Sequence, residues 1–167
     1  NLQATIVHAG DLSNPVKPNL VNQQWVERVC EEFFAQGDAQ KEMGLPVSGM
    51  CDRDVTEIPK MQMGFIDFVI APFFKELFKL FPEDLKPLAI NLKMNYEFYA
   101  HKYMSEHQEF TQAERNAISD GIVKLDDSLS KIFGTPHWKH CLSETSLSYE
   151  NPKPESDNSL QELSLST

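Results

Sequence analysis

The stretch PKMQMGFIDFVIAPFFKELF, Pro59 to Phe78, constrains the fold of this chain more than any other segment. Apolar side chains fall on nearly every face of the helix it would form. A helix without a polar face belongs at the centre of its domain. Pro72 lies inside the run, where it removes a backbone donor and crowds the preceding turn, so the helix should kink or be interrupted there. The longest apolar part, GFIDFVIAPFF, still carries Asp67 and Pro72, which makes it a buried helix rather than a membrane span.

The flanking segments are also periodic at helical spacing. Within residues 19–36, Val21, Trp25, Val29 and Phe33 recur four apart and predict a core-facing stripe. Gly37 then reads as a C-terminal stop. Gly44, Pro46, Ser48 and Gly49 mark an irregular loop leading to MCDRD. Pro82 opens a further helix with Leu85, Leu88, Leu92, Tyr96, Tyr99 and Tyr103 on one side. TQAE at Thr111 predicts a capping box with Glu114, followed by a stripe from Ile118 to Ile132 and a stop at Gly134. The first seven residues, NLQATIV, read as the last turns of a helix already under way. No segment reads as a strand, so the expected class is all-α, a compact helical domain.

After about Ser143 the composition changes. The last 25 residues hold seven Ser, five acidic residues and a single Lys, too little apolar area to offset ordering entropy. The expected organisation is a main helical unit over 1–103, a helical extension over 104–142, and a disordered acidic, Ser-rich tail over 143–167.

Fifteen basic against 25 acidic residues leave a net charge of -10, which argues against a nucleic-acid partner. A small phosphate-bearing ligand stays open, because such sites depend on local charge and metal ions. Cys30, Cys51 and Cys141 are an odd set without CxxC spacing, so a reducing, cytoplasmic setting is expected over a disulfide framework. With no transmembrane segment, the chain reads as soluble.

Four clusters could carry chemistry. Asp11 either caps a helix or offers a carboxylate to a hard divalent cation, and Asn14 either forms an Asx turn before Pro15 or faces a purine edge. Gln62 and Phe65, three apart, share a helix face: the amide needs partners from a neighbouring helix or a ligand, and the ring offers a stacking face. EEFFAQGD, Glu31 to Asp38, reads as structural, its Phe pair in the core and its acids facing solvent or a neighbouring helix. HWKHC, with His137, His140 and Cys141, falls short of four zinc ligands and has no second cluster near it. Phosphate-cradling loops and nucleophile-elbow motifs are absent.

Four of these stretches occur in order: HAGDLSNPVKP, QQWVERVCEEFFAQGD, GLPVSGMCDRD and IPKMQMGFIDFVIAPFF. In that order and at that spacing they resemble the C-terminal half of the catalytic domain of class I 3',5'-cyclic-nucleotide phosphodiesterases. The resemblance is strong over residues 4–74, weaker to about 103 and absent beyond. It implies hydrolysis of cyclic AMP or cyclic GMP by a two-metal centre of zinc with magnesium or manganese. Asp11 would be a metal ligand. Gln62 would hydrogen-bond the purine edge and Phe65 would stack on the base. Asn14 would touch the base, with Val29, Phe33 and Met50 in the pocket wall, Val29 and Phe65 clamping the ring.

The resemblance implies that the family's other ligands, two His and an Asp, and its general-acid His belong on earlier helices, in an upstream half expected to lie outside this chain. The chain alone is therefore expected neither to bind the metal pair nor to turn over substrate. The expected partners are a cyclic nucleotide and that upstream half, with a second copy of the chain as an open alternative. The competing reading is an inactive helical interaction or regulatory module.

Overall fold

The computed structural model describes residues 1–134 and contains only helices and the turns between them. Helix α1 spans Leu2–Asp11 and α2 spans Asn19–Glu42, with a 3-10 turn at Asn14–Val16 between them. A second 3-10 turn, Gly49–Cys51, precedes α3 at Ile58–Phe65. A π turn at Ile66–Ile70 leads directly into α4, Ala71–Leu80, and then follow α5, Pro82–Glu106, and α6, Gln112–Phe133. The tail over 143–167 and the HWKHC cluster lie outside the described residues.

The π turn resolves the problem posed by Pro72. Proline cannot donate, and its ring would strike the carbonyl four residues back. Here the helix widens, and the Ala71 N–H reaches the Ile66 carbonyl, five residues back. The helix is interrupted without breaking its direction. Ile66, Ile70, Phe74 and Phe78 are buried in the centre of the core, whereas Phe68 on the other side is 85% exposed. The apolar run is central on one face only.

Helix α5 supplies the opposite wall, through Leu92, Tyr96, Tyr99 and Tyr103. Helix α6 closes over it with Leu125 and Leu129, and the buried Lys93 ties the two helices through Asp126 at 3.0 Å. The Tyr96 hydroxyl rests where a Cβ at residue 121 would lie, which explains Gly121 inside a helix. Thr111 and Glu114 form the expected capping box, and Gly134, at φ 79°, ends α6 as its sequence position suggests.

Helix α2 departs from expectation twice. Its buried residues are Asn22, Val26 and Cys30, each one position on from the expected stripe, together with Gly37, while Val21 and Trp25 are exposed. The reason is polar: Asn22 is fully buried because Tyr99 donates to its Oδ1 at 2.8 Å and its Nδ2 donates to Asn14 Oδ1 at 3.1 Å. Gly37 does not stop the helix, which continues to Glu42 and turns out at Gly44, φ 66°. Gly37 is needed for close approach instead, since a Cβ there would overlap the Cys51 carbonyl.

Gly37→Ala should therefore lower the stability of the chain by about 1–3 kcal/mol, as overpacking against backbone does. Urea denaturation would show it as a reduced midpoint. Gly10→Ala, a helical position with open space around it, should leave the midpoint unchanged or slightly raised.

Candidate purine and metal site

The segment between α1 and α2, Leu12 to Pro18, contains two prolines and so lacks two backbone donors. Its carbonyls are satisfied from elsewhere in the fold. Asn95 of α5, fully buried, donates to Pro15 O at 2.8 Å and Lys17 O at 2.9 Å, and Asn91 donates to Val16 O at 3.0 Å. Asn19 completes the set by donating to Asn95 Oδ1 at 2.9 Å. These bonds fix where Asp11 and Asn14 stand.

On the other side, the loop after α2 is stapled back onto that helix. Lys41 bridges Asp52 at 2.7 Å and Asp54 at 2.6 Å, Arg53 pairs with Asp38, and Ser48 N–H donates to Gln40 Oε1 at 2.9 Å. The close contact at Gly37 brings in Cys51, and with it Met50. Cys30 and Cys51 are buried free thiols.

Between these walls and α3 lies a cavity of about 170 Å³. Asp11 and Asn14 line one side and Gln62 and Phe65 another. Val29, Phe33 and Met50 line it too, so all seven residues singled out in the sequence meet at one place. Leu12, Val26 and Met61 also line it and were missed, although Val26 stands one helical turn before Val29 and Met61 adjoins Gln62. The volume is below the roughly 300 Å³ at the small end of ligand pockets. A larger, open groove of about 540 Å³ adjoins it, sharing Met50, Met61 and Phe65.

The polar groups at this cavity are unevenly satisfied. Asn14 accepts from Asn22 through Oδ1, which leaves its Nδ2 as the donor still to be used. Gln62 is buried, and its Oε1 has no hydrogen-bond partner among the described residues. The neighbouring-helix partner that a structural Gln requires is absent for this atom. Asp11 is exposed at the C-terminal end of α1, where the helix dipole disfavours a carboxylate, and among the described residues it has no hydrogen bond or ion pair. It is not a cap: Asn1 caps α1 and Ser13 precedes the 3-10 turn.

No group of three or more His, Cys, Asp or Glu able to hold a metal occurs among the described residues. One carboxylate does not hold a catalytic zinc, which takes at least three protein ligands. The described residues alone do not fit a metal pair.

Replacing Gln62 with Met keeps the volume and removes the unpartnered amide oxygen. Gln62→Met should therefore raise the stability of the chain by about 1 kcal/mol, read as an increased urea midpoint.

The family described as 3'5'-cyclic nucleotide phosphodiesterase matches residues 1–92, which include every residue lining the cavity and end within α5. A probable 3',5'-cyclic-AMP phosphodiesterase of Caenorhabditis elegans is 40% identical over 102 residues, 61% of this chain and 15% of its own length. The 3',5'-cyclic-AMP phosphodiesterase 4C of Rattus norvegicus is 42% identical over 95 residues, 57% of this chain and 18% of the relative. A human dual specificity calcium/calmodulin-dependent 3',5'-cyclic nucleotide phosphodiesterase, 1B, is 44% identical over 84 residues, 50% of this chain and 16% of the relative. The matched stretch thus spans less than a fifth of each of these relatives. With the family match extending over more than half of its residues, the chain belongs to the 3'5'-cyclic nucleotide phosphodiesterases.

Proposed function

We propose that this chain supplies the purine-binding wall and one metal ligand of a catalytic domain that hydrolyses 3',5'-cyclic nucleotides to 5'-monophosphates. The observation that carries the reading is the buried, unpartnered Gln62 Oε1 beside Phe65 in a cavity that also holds Asn14. A purine edge offers donors and acceptors to both amides, and its flat face suits Phe65 with Val29 opposite. Phe33 and Met50 exclude water from the base, which strengthens those hydrogen bonds.

Asp11 contributes one ligand to a two-metal centre, zinc with magnesium or manganese, whose other ligands come from the rest of the domain. Held there, such a pair would supply an acidified water and positive charge to offset the charge building on the phosphate. The longer relatives contain polypeptide beyond the matched stretch, and this chain has apolar surface to receive it. Leu2, Ile6 and Val7 on α1, and Leu20, Val21 and Trp25 on α2, are all exposed. Relatives named for cyclic AMP and one named for dual specificity make both nucleotides candidates.

The test is a chimera in which residues 1–134 replace the matching segment of the rat relative, assayed with cyclic AMP and cyclic GMP. The chimera should hydrolyse at least one, and this chain by itself neither. Asp11→Asn should lower bound metal and cut activity at least about a hundredfold, since even outer partners of metal ligands are worth 10- to 100-fold. Phe65→Ala should raise KM by roughly 5- to 150-fold, the equivalent of about 1–3 kcal/mol of base stacking. A folded chimera that stays inactive, or an Asp11→Asn chimera that keeps its metal and activity, would sink the reading and favour an interaction module.

A further inference from the structure

The turn joining α5 to α6 lies beyond the family match, yet it reaches back to the start of α3. His107 stands between two carboxylates there. Its Nε2 is 2.7 Å from Glu57 Oε1 and its Nδ1 is 2.7 Å from Glu109 Oε1. The imidazole is stacked on Phe110, with ring centres 4.6 Å apart and planes 12° from parallel, and it meets Tyr103 edge-on at 4.8 Å. Both ring nitrogens can donate at once only in the protonated ring.

The surrounding groups are consistent with that charge. From α5, the Tyr103 hydroxyl donates to Glu57 Oε2 at 3.4 Å. From α3, Lys60 lies 3.5 Å from the same oxygen and 5.9 Å from the centre of the Tyr103 ring. From α6, Arg115 donates to the backbone carbonyls of Met104, His107 and Phe110, which ties down the turn itself. The hydrogen bond to Glu109 is the largest influence on the ring and holds its pKa above the usual 6.5, Glu57 adds to it, and loss of hydration opposes it.

Glu57 immediately precedes α3, five residues before Gln62. We propose that His107 is a positioning residue: as an imidazolium it clamps Glu57, and through it sets where α3 presents Gln62 and Phe65 to the cavity. The functional meaning of this coupling rests on the purine reading, while the coupling is a property of this chain alone. Its direction follows from linkage. The folded pKa lies above the unfolded value, so the clamp acts fully below about pH 6.5 and is lost as pH rises through the folded pKa. Deprotonation leaves one ring nitrogen without a hydrogen, facing a carboxylate.

The experiment is an NMR titration of the full chain from about pH 5.5 to about 9, the range in which histidines change charge. The His107 ring should titrate above 6.5, and the Gln62 side-chain amide and Phe65 ring resonances should shift with the same midpoint. In His107→Gln, which keeps one donor and therefore the fold, those shifts should vanish. In Glu57→Gln the His107 midpoint should fall. A His107 midpoint at or below 6.5, still Gln62 and Phe65 resonances, or shifts that persist in His107→Gln would each overturn the proposal. An inactive chimera would overturn the purine reading and leave the co-titration intact, so the two failures are distinguishable.

Discussion

The hydrogen bonds from Asn95 and Asn91 to the carbonyls of Pro15, Val16 and Lys17 are the constraint on which the site depends. A proline-rich turn cannot satisfy its own backbone, and buried carbonyls without donors are costly. Side chains almost 80 positions away provide them. The turn is thereby pinned to α5, the same helix that packs against the central π-interrupted helix. The two halves of the cavity, Asp11 with Asn14 and Gln62 with Phe65, are held in register by one shared wall.

Among the described residues, buried polar groups elsewhere follow the same logic, with one exception. Asn22 is satisfied by Tyr99 and Asn14, and Asn95 by Asn19 and the carbonyls of Pro15 and Lys17, and together these bonds rigidify the site from behind. Burial pushes the Tyr99 hydroxyl pKa upward, so it stays a donor to Asn22 at any physiological pH. Gln62 Oε1 is buried without such support. A native fold tolerates an orphaned acceptor most readily where function supplies the partner.

Much of this was legible in the sequence because it depends on local chemistry. Pro82, the Thr111 capping box and Gly134 punctuate helices through their own backbone properties and needed no tertiary information. The seven candidate residues were drawn from ordered motifs that lie far apart in the chain, and the structure brings them to one cavity. The α2 stripe was not legible, because burial of Asn22 depends on Tyr99, and no hydrophobic pattern encodes a hydrogen bond between residues 77 apart. Gly37 misled for a related reason: a glycine needed for close packing against Cys51 reads like a helix stop until the neighbour is known.

The π turn at Ile66–Ile70 has a geometric consequence for how this helix tolerates changes of length. One extra residue is accommodated within a single turn, so the segments before and after it differ in angular phase by about 100° from an unbroken α-helix. Removing one residue from the turn would restore ordinary spacing with the flanking segments still in phase, whereas winding the present sequence as an unbroken α-helix would rotate Gln62 and Phe65 relative to Phe74 and Phe78 by that angle. The core side and the cavity side cannot then both be met. It is the widened turn, and not the length of the segment, that lets two surfaces facing different ways both be met by this sequence.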